Sequence, residues 1–212
     1  MGNHESVVSE EMKDFLNKGL CTYAPALAAI SEFRRQIRTR MQTVLDDFSA
    51  KFSGLGLPVD NLRLLDAKVD DQNSAANSFW IALERNYGGE LYTGYQVYCN
   101  LEKPEDPQVQ VGVWVYVGIR ADRDRLFDAL QKQRSLIKET HLEEARLVQD
   151  RNGKSRLSSK CDPSSFYCIE DVFRTLIDEW VDLLSGIGGI RPFLSAVASR
   201  TNTLPEEELK RL

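Results

Sequence analysis

Histidine is nearly missing from this 212-residue chain: His4 and His141 are the only two. The four cysteines, Cys21, Cys99, Cys161 and Cys168, contain no C-x-x-C pair. A zinc site needs several such ligands at short spacing, so no metal and no cofactor is expected. No apolar run reaches the ~20 residues that a helix needs to span a bilayer. The N-terminal Met1-Gly-Asn-His-Glu-Ser6 lacks the apolar stretch of a secretory signal. A cytoplasmic protein with reduced thiols is therefore expected. Gly2 and Ser6 fit the loose myristoylation pattern. That match is short and Glu5 adds negative charge, so the expectation is a frayed terminus and no membrane contact. Basic excess is absent too: 27 Lys and Arg stand against 32 Asp and Glu, a net charge of −5. A whole-molecule field for nucleic acid is thereby excluded, and only local basic patches remain. There is no internal repeat.

What is present is a strong strand pattern. From Val109 to Ile119 every odd position is Val or Ile. Between them lie Gln110, Gly112, Trp114, Tyr116 and Gly118. Strict period-two alternation puts a β-branched face inward and a second face, carrying Trp114 and Tyr116, on the other side. Three further runs read as strands: Leu62–Val69, Ser78–Arg85 and Leu91–Leu101. Short connections make these four an antiparallel meander. A hairpin follows, Ala145–Arg151 and Lys154–Ser159, turned at Asn152-Gly153, the preferred type I′ dipeptide.

Helices flank the strands. Ser6–Leu20 forms a short one, and Tyr23-Ala-Pro25 breaks and restarts the chain. Ala26–Phe52 carries a stripe of Ile30, Phe33, Ile37, Met41, Val44, Phe48 and Phe52. Asp47 and Lys51 form an i,i+4 pair on its exposed side. Asp122 is expected to cap a helix over Arg123–Thr140. Asp162-Pro163 starts another, to Leu184, with Glu170–Arg174 and Arg174–Asp178 paired along it. Pro192 opens a last short helix to Ser199. The order predicts an α+β fold, a four-stranded antiparallel meander plus a hairpin packed against long amphipathic helices. Residues 1–24 read as an N-terminal helical segment, 25–200 as a single α+β domain, and 201–212 as a loose acidic tail.

The segment from Phe79 to Leu184 resembles a bacterial domain family of unknown function that often sits behind restriction-type nuclease domains. The shared outline is Phe79-Trp-Ile-Ala-Leu83, Val111-Gly-Val-Trp-Val-Tyr116, and a helix with Leu126, Phe127 and Leu130. A basic hairpin with Ser155, Arg156 and Leu157 follows, then a helix bearing Trp180. The resemblance implies the same α+β layout and a link to bacterial defence or DNA processing. It implies no catalytic residue.

Catalytic patterns are thin. Asp66-Ala-Lys68 matches the second half of the nuclease pattern in which two carboxylates hold a divalent ion and a lysine orients water. The first carboxylate would be Asp46, Asp47 or Asp60, and none sits on a clear strand. Neither histidine has a nucleophile beside it. Gly186-Ile-Gly-Gly189 lacks the Lys-Ser/Thr of a phosphate loop and reads as a helix cap. Basic side chains gather at Arg34 and Arg38 on the long helix, and at Arg151, Lys154, Arg156 and Lys160 around the hairpin. A charged hairpin is also how exposed sheet edges avoid aggregation. Trp80, Trp114 and Tyr116, with Tyr92 and Tyr98, can share one side of the meander. Such aromatics stack bases or hold a partner, but the commoner arrangement is a helix lying over them. The expected function is a non-enzymatic interaction module that takes a protein partner or a second copy of itself. The alternative is a nucleic-acid-binding or nuclease-like protein using the basic hairpin and Asp66/Lys68.

Overall fold

The computed structural model describes residues 10–66, 78–88, 90–100, 108–137, 142, 144–161 and 166–194. Two helices come first, α1 (Glu10–Asp47) and α2 (Ser49–Gly54). The strands β1 (Arg63–Asp66), β2 (Ser78–Asn86), β3 (Leu91–Asn100) and β4 (Gln108–Val117) follow. Then come α3 (Arg120–Leu136), β5 (Arg146–Gln149), β6 (Ser155–Cys161) and α4 (Phe166–Gly186), with a 3₁₀ turn at Arg191–Phe193. The six strands form one antiparallel sheet in the order β1-β2-β3-β4-β6-β5. This is the expected α+β fold, and the hairpin extends the meander because β6 pairs with β4.

The chain divides into two units, residues 1–39 and 40–212. The described part of the first is the N-terminal length of α1. There Arg35 donates twice to Glu32 and Gln36 once, which holds the Glu32 carboxyl down to about 2. No break occurs at Pro25, which lies inside α1. Pro25 and Cys21 are both exposed, so water can take the carbonyl that loses its N–H partner. A break does occur at Phe48, where the expected single helix divides into α1 and α2.

The second unit holds the sheet. Its β-branched face carries Ile81, Leu83, Tyr95, Val97, Cys99, the five odd valines of β4 and Leu157, each at most 3% exposed. Helices lie on this face. Phe52 of α2 meets Tyr95 edge-on, with ring centroids 5.8 Å apart. Lys51 of α2 reaches Asp178 of α4 at 2.9 Å, and Asp47 of α1 takes Arg174 of α4 at 2.7 Å. Gln149, on the same sheet face, donates to Asp124 of α3. Arg134 of α3 lies 3.3 Å from Glu179 of α4. The layer beneath is apolar, with Phe173, Leu176, Ile177, Trp180, Leu183 and Leu184 of α4 and Leu126 and Leu130 of α3 all buried.

Four local expectations are corrected. Asp47 and Lys51 fall on either side of the break at Phe48 and do not pair with each other, nor do Arg174 and Asp178. The charges cross instead from α1 and α2 to α4. Glu170–Arg174 does pair, at 3.8 Å. Asp122 is not a cap: Ile119 holds that position, and Asp122 lies in the first turn, buried and 3.5 Å from Arg125. The hairpin turn is not type I′, because only Gly153 has a positive φ. Asp150 Oδ1 accepts the N–H groups of Asn152 and Lys154. Gly153 donates to the Asp150 carbonyl and Asp150 to that of Lys154. This is a three-residue loop closing on a left-handed glycine, the form that a turn-initiating aspartate favours. Finally, Pro192 sits in a single 3₁₀ turn that ends at Phe193, with Leu194 already non-helical, and residues 195–199 lie outside the described ones.

Gly186-Ile-Gly-Gly189 is a helix end. Gly189 donates to the Leu184 carbonyl at 2.8 Å and Gly188 to that of Ser185 at 3.0 Å. Those amides serve the helix itself, as a glycine with φ of +78° permits.

Candidate functional site

Register builds the second sheet face row by row. One row runs Trp80–Tyr98–Gln110–Lys160. The next is Ala82–Gln96–Gly112–Ser158–Arg146. A third is Arg63–Glu84–Gly94–Trp114–Arg156–Val148. A fourth places Asn86, Tyr92 and Tyr116 together. Alternate rows lie two residues apart, ~7 Å along the strands.

The middle row is small and polar. Ala82, Gln96, Gly112 and Ser158 are buried between bulkier rows. Trp80 Nε1 donates to Gln96 at 3.3 Å, and Gln110 Nε2 donates to Ser158 at 3.2 Å. Tyr92 and Tyr116 tilt together with centroids 6.0 Å apart, and Arg123 of α3 stacks on Tyr116 at 5.2 Å. Trp80, Tyr92, Tyr98 and Tyr116 are each half-buried, with ring surface left to offer.

Trp114 differs from the other aromatics. Its indole lies across Gly94, so closely that a Cβ there would fall 2.5 Å from Nε1. Above it the Lys154 ammonium sits 3.7 Å from the ring centroid. Trp114 is 1% exposed as a result. The expected helix cover is therefore not what closes this residue: glycine floors it and lysine roofs it. Burial lowers the Lys154 pKa from its ordinary value; Glu84 and Asp150 act against that shift, and Arg156 adds to it.

The charge on this face is lopsided. Arg63, Arg146 and Lys160 are exposed, and among the described residues none of them makes an ion pair. Arg156 pairs weakly with Asp150, at 3.4 Å. Glu84 is the carboxylate within the rows. A basic, aromatic surface thus exists on a chain whose net charge is −5.

Of the candidate residues, Trp80, Trp114, Tyr116, Lys154, Arg156 and Lys160 gather here, and Arg151 is exposed at the adjoining turn. Arg38, exposed, and Arg34, half-buried, belong to the N-terminal unit. Lys68, His4, His141 and the side chain of Asp66 lie outside the described residues. Among the described residues no cluster of three His, Cys, Asp or Glu could hold a metal. No described helix is long and apolar enough to cross a membrane. Arg146, Gln96, Ser158 and Gly94 belong to the face although sequence reasoning passed over them. Their signal was the strand register, which periodicity alone does not supply.

No family model, curated protein or solved structure matches the chain. The geometry of the sheet face therefore carries the functional argument.

Proposed function

We propose that the protein is a binding protein that takes single-stranded nucleic acid along its aromatic sheet face. The observation that carries this reading is the sharing of one face by basic and aromatic side chains in register. Phosphates would meet Arg63, Arg146 and Lys160, which hold no ion pair among the described residues. Bases would stack on Trp80 and Tyr98 at one end and on Tyr92 and Tyr116 at the other; stacking tolerates any base because each has a π-face. Gln110, half-buried and beside Tyr98 in register, offers a side-chain amide to base edges. A protein partner, the first expectation from sequence, would use the same surface, but the basic charge on an acidic chain favours an anionic strand.

The test is fluorescence anisotropy with labelled single-stranded DNA and RNA across a salt series. Binding should weaken steeply with salt. Arg146→Gln with Lys160→Gln should reduce the log–log salt slope by about 1.4, two phosphate contacts at ~0.7 each. Failure to bind any strand at low salt would refute the reading. So would equal competition by an acidic polypeptide, which would assign the surface to a protein partner.

A further inference from the structure

Three features around Trp114 do not suit a purely structural residue. Its indole N–H is buried and finds no acceptor, and the same is true of Arg156 Nε beside it in register. Lys154, lying over the ring, makes no ion pair among the described residues. Two donors on this row, Trp114 Nε1 and Arg156 Nε, are thus left unmatched although Glu84 and Asp150 lie near, and buried donors without acceptors are rare and costly.

The lysine is well placed to move. Its backbone is fixed, since its N–H donates to Asp150 Oδ1 at 3.0 Å and its carbonyl accepts from Asp150 at 2.9 Å. Only the flexible side chain lies over the indole. The ring below cannot sink further, because Gly94 already lets it rest on the β3 backbone. Removing the ammonium would leave a flat indole facing outward between the Trp80–Tyr98 row and the Tyr92–Tyr116 pair.

We propose that Trp114 is a further base-stacking position of this face, roofed in the free protein by Lys154 and uncovered when a phosphate draws that ammonium aside. The inference rests on the nucleic-acid reading above. It makes Lys154 both a phosphate contact and a gate, and it gives the orphaned donors of Trp114 and Arg156 an acceptor when a strand is bound. A base on the bare ring would recover the face that the cation held.

The experiment uses the full chain carrying Trp80→Phe, which leaves Trp114 and the core Trp180 as emitters, titrated with a labelled oligothymidylate at low salt. Oligothymidylate should quench a component that is missing from Trp80→Phe/Trp114→Phe. Trp114→Leu should weaken binding by roughly tenfold, as the loss of one stacked base does. Adding Lys154→Gln should open Trp114 to acrylamide before any ligand is present. Binding by anisotropy with no quenching beyond the double variant overturns the gate and leaves the binding reading standing. No anisotropy change at all overturns both. Inorganic phosphate at matched ionic strength should not reproduce the quenching, because it brings no base to the ring; if it does, the row is an anion site and not a stacking position.

Discussion

Gly94→Ala tests the floor of this face. A methyl at position 94 would fall 2.5 Å from Trp114 Nε1 and nearer still to two ring carbons. Ordinary carbon contacts lie at ~3.5–4.0 Å, so the indole must retreat by about 1 Å or more. It can lift only by pushing aside the Lys154 ammonium that lies over it. Overpacking of this kind costs about 1–3 kcal/mol. Alanine returns about 0.5–1 kcal/mol by restricting the unfolded chain relative to glycine. The two terms leave an expected net loss of up to about 2.5 kcal/mol in urea denaturation followed by far-UV circular dichroism. Gly186→Ala is the control. A Cβ there also falls too close to a side chain, that of Gln133, with its Cγ at 2.8 Å, but the overlap is with the movable amide end. At the end of α4 this exchange should be neutral or stabilising by up to ~1 kcal/mol. Combining Gly94→Ala with Trp114→Ala should cost less than the sum of the two, because the clash disappears with the ring. If Gly94→Ala is as stable as the parent and its tryptophan emission is unmoved, the stacked arrangement of Gly94, Trp114 and Lys154 is wrong.

Other outcomes follow from the core and the edges. Glu179 is wholly buried, and its carboxylate lacks any well-directed hydrogen bond; the 3.3 Å approach of Arg134 is its ion pair among the described residues. Arg134→Ala should cost about 3–5 kcal/mol in the same denaturation assay, whereas Arg134→Met with Glu179→Leu should be near neutral, because both charges leave together. Arg85 hydrogen-bonds to Asp60 and holds its carboxyl below the ordinary 3.8. A depressed folded pKa stabilises above the unfolded value and is lost as pH falls through the folded one, so melting temperature below pH 4 should fall more steeply in the parent than in Asp60→Asn. Burial pushes the Cys99 thiol up to about 12. A thiol reagent should label exposed Cys21 at once and reach Cys99 only as the sheet opens.

How much of this was legible in the residues depends on the range of the interaction. The valines of β4 declared their face because alternation is local, and the helices that cover it showed their stripes for the same reason. The closure of Trp114 was not legible. It needs Gly94 opposite it and Lys154 above it, and both follow from pairings between strands that are remote in sequence. Asp47, Lys51, Arg174 and Asp178 make the same point. Sequence spacing offers each an i,i+4 partner, yet the helix breaks at Phe48 and the charges meet across the gap between α1 or α2 and α4. Asn152-Gly153 misled in a smaller way, because Asp150, two residues earlier, ties the loop through its side chain.

The order of the strands also has a consequence for synthesis on the ribosome. β4 ends at Val117, but α4, which covers much of its valine strip, does not begin until Phe166. At 5–20 residues per second that interval of roughly fifty residues lasts about 3–10 s. During it the meander can pair while the part of its apolar floor that α4 covers is wet, and β4 offers a bare edge until β6 arrives. The nascent chain is thus most exposed to misassembly in that window, and a chaperone that holds β-rich intermediates would act there or not at all.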